Sequence, residues 1–192
     1  MQHLYQHIAQ TLKTLRQEKG WSLDKAAQAT GVSKAMLGQI EREESSPTIA
    51  TLWKIASGFE SSFSLFIDEP SEELNQPIYR TGNTQNIHPE DDKIRVQSLF
   101  PFDKELNFEV FIIELLPGCE HLSPPHAKGV IEHIIVTEGA IEVLINQEWR
   151  SLSLNEGLRF SAHQAHGYRN LTDEIARIHD IIHYPTQLIS EE

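Results

Sequence analysis

The chain has 192 residues, 39% hydrophobic and 23% charged, an ordinary globular composition with room for one large domain or two small ones. Its formal net charge of −12 would argue against a nucleic-acid partner if it were evenly spread. It is not: residues 1–66 carry seven Lys/Arg against six Asp/Glu, whereas residues 67–192 carry nine against twenty-two and hold eight of the ten histidines. Two domains with different partners are expected. No apolar run approaches the roughly 18 residues of a membrane span. The N-terminus MQHLYQHIAQ lacks the basic-then-apolar order of a signal peptide. A lone Cys119 excludes an internal disulfide framework, so a cytoplasmic protein without a membrane partner is expected.

In the first half, Ile8, Leu12 and Leu15 recur at helical spacing before Gly20. "WSLDKAAQATG" follows, with Ser22 as N-cap and Gly31 as the stop. Ser33 caps "SKAMLGQIERE", and Ser46 with Pro47 suits the N-cap and first position of "TIATLWKIASG". Four short helices with short joints predict a compact bundle. In its middle stands a helix with small Ala26 and Ala27, a glycine turn and a second helix, because two steeply crossing helices need small residues to approach closely.

The run "LDKAAQATGVSKAMLGQIEREESSPTIATLWKIA" resembles the Xre/lambda-repressor family of DNA-binding domains. That resemblance makes Ser33–Arg42 the recognition helix in a major groove. It places Lys34, Ala35 and Gln39 at base edges: lysine toward guanine, glutamine toward adenine, alanine toward a thymine methyl. Ser33, Arg42, Ser45, Ser46 and Thr48 are the candidates for phosphate contacts. Leu23 stands where many relatives have a phosphate-binding glutamine. The competing reading of the bundle is a protein-binding module, since a charge of +1 is weak for a DNA reader.

Residues 67–92 have linker composition, with Tyr79–Arg80 as a possible strand-like arm. From Ile94, seven or so β-branched and aromatic runs, "IRVQSLF" to "ARIHDIIHY", end at turn residues and predict a β-sandwich or barrel.

Within that half, "PPHAKGVIEHIIVTEG" and Gly157–Asn170 resemble the two motifs of the cupins, although the usual proline and glycine of the second turn are absent. Glu132 is followed after six residues by Gly139, and counting back puts His126 in the first histidine slot and Lys128 in the second; His166 comes from the second motif. The resemblance implies a two-domain α + β chain: a helix-turn-helix domain over 1–68, a linker over 69–92 and an all-β cupin jelly-roll barrel over 93–186. The whole is similar to Xre-family regulators that carry a cupin, and most like an enterobacterial regulator of sulfur utilisation.

His126, Glu132 and His166 form a two-histidine, one-carboxylate set able to hold a divalent metal. Lys128 weighs against a metal, and with His126, Glu132 and His166 suggests a pocket for a small anionic effector, sulfur-containing by the narrower resemblance. The cofactor is left open between one divalent metal and none. Ser123, His163 and Tyr168 would add donors if their registers point inward, His133 should face away, and His179 and His183 have open parity. The expected function is transcriptional regulation: a homodimer reading a double-stranded DNA operator and responding to a small-molecule effector, with no catalytic residues. The alternatives are a mononuclear iron-dependent cupin oxygenase that uses the helical domain for assembly, and a ligand-free dimerisation barrel.

Overall fold

The computed structural model describes residues 2–67 and 93–185. The expected linker 69–92, with the Tyr79–Arg80 arm, lies outside the described residues, as does residue 186 at the end of the expected cupin domain.

Among the described residues the first half has five helices: α1 (Gln2–Glu18), α2 (Leu23–Thr30), α3 (Lys34–Glu41), α4 (Ile49–Phe59) and α5 (Ser64–Ile67). Ser22 and Ser33 cap α2 and α3 as their sequence positions predict, each hydroxyl accepting the N–H three residues on at 3.2 Å. Gly31 closes α2 at φ 68°, a left-handed conformation that glycine reaches without Cβ strain. The start of α4 is a correction. Thr48, not Ser46, is the N-cap, with its Oγ1 accepting from Thr51 N at 3.1 Å, and buried Pro47 lies outside the helix.

Ile8, Leu12, Leu37, Leu52, Ile55 and Phe59 fill the bundle core. The α2–α4 crossing is close: a Cβ on Gly58 would lie 2.6 Å from Thr30 Cα. Arg16 on α1 holds Glu41 at the end of α3 through two bonds of 2.6 and 2.8 Å, which fixes the orientation of α3.

Among the described residues the second half has nine antiparallel strands: β1 (Ile94–Asp103), β2 (Phe108–Leu115), β3 (Glu120–Ser123), β4 (Ile131–Glu138), β5 (Ala140–Ile145), β6 (Glu148–Ser153), β7 (Gly157–Ser161), β8 (His166–Arg169) and β9 (Ala176–His183). They form a five-stranded sheet, β1-β2-β9-β4-β7, and a four-stranded sheet, β3-β8-β5-β6, which enclose one core. The two strands that sequence patterning does not separate, β3 and β8, have four residues each and pair with one another.

The domains share a buried junction rather than a chain connection alone. Glu109 on β2 is fully buried and accepts Phe63 N at 3.2 Å, Ser64 N at 3.0 Å and the Tyr184 hydroxyl. Ser64 Oγ in turn accepts Phe102 N at 2.8 Å. Above this polar knot, Trp53 of α4 stacks on Phe63 with ring centroids 4.1 Å apart and meets Phe111 of β2 edge-on. The short α5, which carries no helical period in the sequence, is the piece that seats the bundle on the barrel.

Candidate functional site

Two surfaces carry the residues singled out by sequence. On α3, Lys34, Ala35 and Gln39 are exposed while Leu37, Gly38 and Ile40 face the core, so the three base-reading candidates share the outer face. Met36, 40% exposed on the same helix, joins them as an apolar group suited to a thymine methyl, and its helical position signalled it. Ser33 and Thr48 hold helix caps, so their hydroxyl oxygens act first on backbone N–H groups. Ser45 and Ser46 are half-buried in the turn before α4. Lys34 pairs with Asp24 at 2.8 Å and Arg42 with Glu44 at 2.6 Å, all four well exposed. Such surface pairs contribute about 0–1 kcal/mol and exchange readily for phosphate.

The second surface is a cavity in the barrel end beneath α4. It has room for roughly one water- or ion-sized occupant, and Trp53, His121, Ser123, His126, Glu132, His166, Tyr168 and Asp180 are among its walls. Inward alternation on β3 brings in His121 and Ser123, that on β8 His166 and Tyr168, and that on β9 Asp180 between buried Ile178 and Ile182. Ser123 and Tyr168 thus point inward, whereas His163 is exposed against Ser161 and His133, His179 and His183 do not line the cavity.

Lys128 is the main correction. It stands exposed in the turn after His126, away from the cavity lining. Val130 N closes that turn onto Ala127 O at 3.2 Å, and Gly129 takes φ 96°. Strand alternation therefore does not run from His126 to Lys128, and the side chain turns to solvent. His121, which sequence reasoning passed over, is the third imidazole in the wall instead.

The chemistry centres on Glu132. Its Oε1 lies 2.8 Å from His126 Nε2 and 3.3 Å from His166 Nε2, and the three ligand atoms fall within 4.8 Å of one another. Yet this buried oxygen has no aligned hydrogen-bond donor. His166 Nδ1 lies 2.9 Å from the Gln164 carbonyl, which can only accept, so Nδ1 carries the proton. When the ring is neutral, its Nε2 lone pair is the one on the carboxylate side. Tyr168 donates its hydroxyl to the other oxygen, Oε2. Two imidazole nitrogens and a carboxylate oxygen thus converge within the reach of one ion. The donor set fits a divalent cation, which would supply Lewis acidity there.

The surrounding charges agree. Burial opposes ionisation of Glu132, but the His126 and His166 imidazoles outweigh it and hold the carboxyl below the usual carboxylate range. Burial would lower His166, yet Glu132 prevails and raises it. Burial, reinforced by His166, pushes His121 down to about 4. Burial, then Glu132 and Glu109, drives Asp180 well above a normal carboxyl and favours its protonated form. The cavity therefore sets the Glu132 carboxylate against the imidazole nitrogens of His126 and His166.

Comparison with known proteins agrees with this architecture. The helix-turn-helix family matches residues 12–66 and the cupin-domain family matches residues 111–182. Over 185 residues, 96% of this chain and 99% of the relative, it is 46% identical to the HTH-type transcriptional regulator SutR of Escherichia coli (strain K12). The chain belongs to the helix-turn-helix transcriptional regulators that carry a cupin domain. The HTH-type transcriptional regulator PuuR of the same organism is 25% identical over 168 residues, 87% of this chain and 89% of that one. A solved HTH_3 family transcriptional regulator from Vibrio cholerae superposes with TM-score 0.82 at 46% identity, covering 95% of this chain and 98% of that one. Among the described residues no helix is long and apolar enough to cross a membrane.

Proposed function

We propose that this DNA-binding regulator reads a double-stranded operator as a homodimer and senses a small ligand in its cupin cavity, a divalent cation being the occupant its donors suit best. Operator reading is supported by the outer face of α3, where Lys34, Ala35 and Gln39 lie exposed on a helix fixed by Ser33 and by Arg16–Glu41. Two such heads would meet half-sites about one helical turn apart.

The observation that carries the sensing half is Glu132 Oε1, buried between two imidazole nitrogens with no aligned donor. An anionic effector loses its main support once Lys128 stands in solvent.

The test begins with a duplex selected by the wild-type chain from a random-sequence pool. Lys34→Ala with Gln39→Ala is expected to lower its affinity at least about 10-fold, since each good base contact is worth about 1–3 kcal/mol. Unchanged selectivity would sink the reading of α3. Dialysis against ferrous or cobalt ion is expected to leave about one ion per chain, and His166→Ala to leave the chain empty. Oxygen uptake by the iron-loaded chain is expected at background; uptake that depends on an organic substrate would favour the oxygenase.

A further inference from the structure

The two ring nitrogens of His126 belong to different domains. Nε2 faces the cavity, 2.8 Å from Glu132 Oε1, while Nδ1 lies 3.0 Å from Ser57 Oγ on α4 of the DNA-binding half. The ring is nearly buried, and its face meets Trp53 of the same helix at 4.9 Å between centroids. His166 differs: its second nitrogen is held by the Gln164 carbonyl, inside the barrel. One cavity imidazole is thus oriented from within the cupin and the other from the head that reads DNA.

We propose that Ser57 is a positioning residue for the cavity, and that through His126 it makes cavity occupancy and the seating of the DNA-binding domain a single coupled equilibrium. An imidazole that offers its Nε2 lone pair to a cation carries its proton on Nδ1, and that N–H needs an acceptor in so buried a place. Ser57 Oγ is that acceptor. A cation on Nε2 makes Nδ1–H a stronger donor and tightens the grip on α4. Seating of α4 in turn holds the ring in its ligating orientation.

α4 cannot move alone. It starts directly after the turn carrying Ser45 and Ser46, and at Gly58 it lies against the backbone of α2, so its displacement carries the helix-turn-helix with it. Cation and operator affinities must then change by the same factor, because linkage is reciprocal. This inference rests on the cation reading proposed above.

The experiment titrates cobalt(II) into the full-length chain, following its visible absorption band, and repeats the titration with the duplex selected by the wild-type protein. Wild type is compared with Ser57→Ala and Ser57→Thr. Alanine is at home in a helix interior, so the first variant keeps the fold, and threonine keeps the hydroxyl.

Ser57→Ala is expected to bind cobalt about 10–100-fold more weakly with a changed band, as loss of an outer-shell partner does, and Ser57→Thr to restore both. Cobalt is expected to shift wild-type operator affinity by about 5–150-fold and that of Ser57→Ala hardly at all. Equal cobalt affinity, band and operator shift in wild type and Ser57→Ala would overturn the role of Ser57 while leaving the cation reading intact. A wild-type chain that selects its duplex yet takes up no cobalt would overturn both and leave only operator reading.

Discussion

Replacing Glu41 by alanine tests how the recognition helix is held. Glu41 takes the Arg16 guanidinium in a fork of 2.6 and 2.8 Å, and Arg16 also donates to the Trp21 carbonyl at 3.0 Å. The two side chains are only 16% and 9% exposed, so this pair lies between a surface bridge of about 0.2–1 kcal/mol and a buried one whose rupture costs about 3–5 kcal/mol. Two charge-assisted bonds vanish in Glu41→Ala, and a half-desolvated cation is left with one neutral acceptor. A loss of about 2–3 kcal/mol follows. Urea unfolding of the full chain should show it as a lower midpoint with unchanged slope, with operator affinity falling as α3 loosens. Arg16→Met added to Glu41→Ala should recover much of the loss, because the uncompensated charge is then gone. A single-variant loss below about 0.5 kcal/mol would show that the fork is a surface pair in effect and that α3 is held by its apolar face alone.

Two further substitutions probe the close crossing and the cavity. Gly58→Ala would place a Cβ 2.6 Å from Thr30 Cα and 2.7 Å from the Ala29 carbonyl, both backbone atoms. Forced separation of α2 and α4 should cost about 1–3 kcal/mol despite alanine's better helix propensity, read as a lower Tm; a raised Tm would refute the tight crossing. His121, walled by Glu132, His166, Tyr168 and Asp180, is held neutral with its pKa pushed down to about 4 from 6.5. The unfolded chain therefore binds the proton first, and the stability tied to this ring is complete above about pH 6.5 and lost as pH falls through about 4, some 3 kcal/mol in all. Asp180, whose pKa is raised, acts with the opposite slope, so the measurement is the difference in unfolding free energy between wild type and His121→Leu across pH 4 to 7. A difference independent of pH would show that His121 is not held neutral.

What was legible in the sequence was what local chemistry writes. Ser22, Ser33 and Gly31 announce the ends of α2 and α3 because each acts on backbone groups within a few residues. Ser46 misleads for the same reason. Two hydroxyl residues flank Pro47, and burial of the proline, a tertiary fact, decides that Thr48 is the cap. In the cavity, His126, Glu132 and His166 follow from motif spacing. Asp180 is readable from the alternation Ala176, Ile178, Asp180, Ile182, and His121 from Cys119, His121, Ser123, both outside the motif spacing. Trp53 and Ser57 left no such trace. They lie on a helix that reads wholly as bundle core, and the Ser57–His126 contact spans 69 residues of sequence.

The turn at Lys128 bears on what the cavity can hold, and Lys128→His isolates it. Tyr168 occupies Glu132 Oε2, burial disfavours charge on Asp180 and His121, and Oε1 faces imidazole nitrogens, so a proton or a cation is what the site can take there. The Lys128 ammonium does not supply it, because it stands exposed to solvent and outside the cavity lining. A histidine at 128 inherits the same turn and the same outward direction, with Gly129 at φ 96° fixing the backbone. Lys128→His should therefore leave cation content, affinity and the cobalt band unchanged, even though it restores the motif's second histidine in sequence. A stronger affinity and a band altered by a fourth ligand would mean that the turn can open and that residue 128 reaches the cavity, which would return the lysine of the wild-type chain to its charge balance.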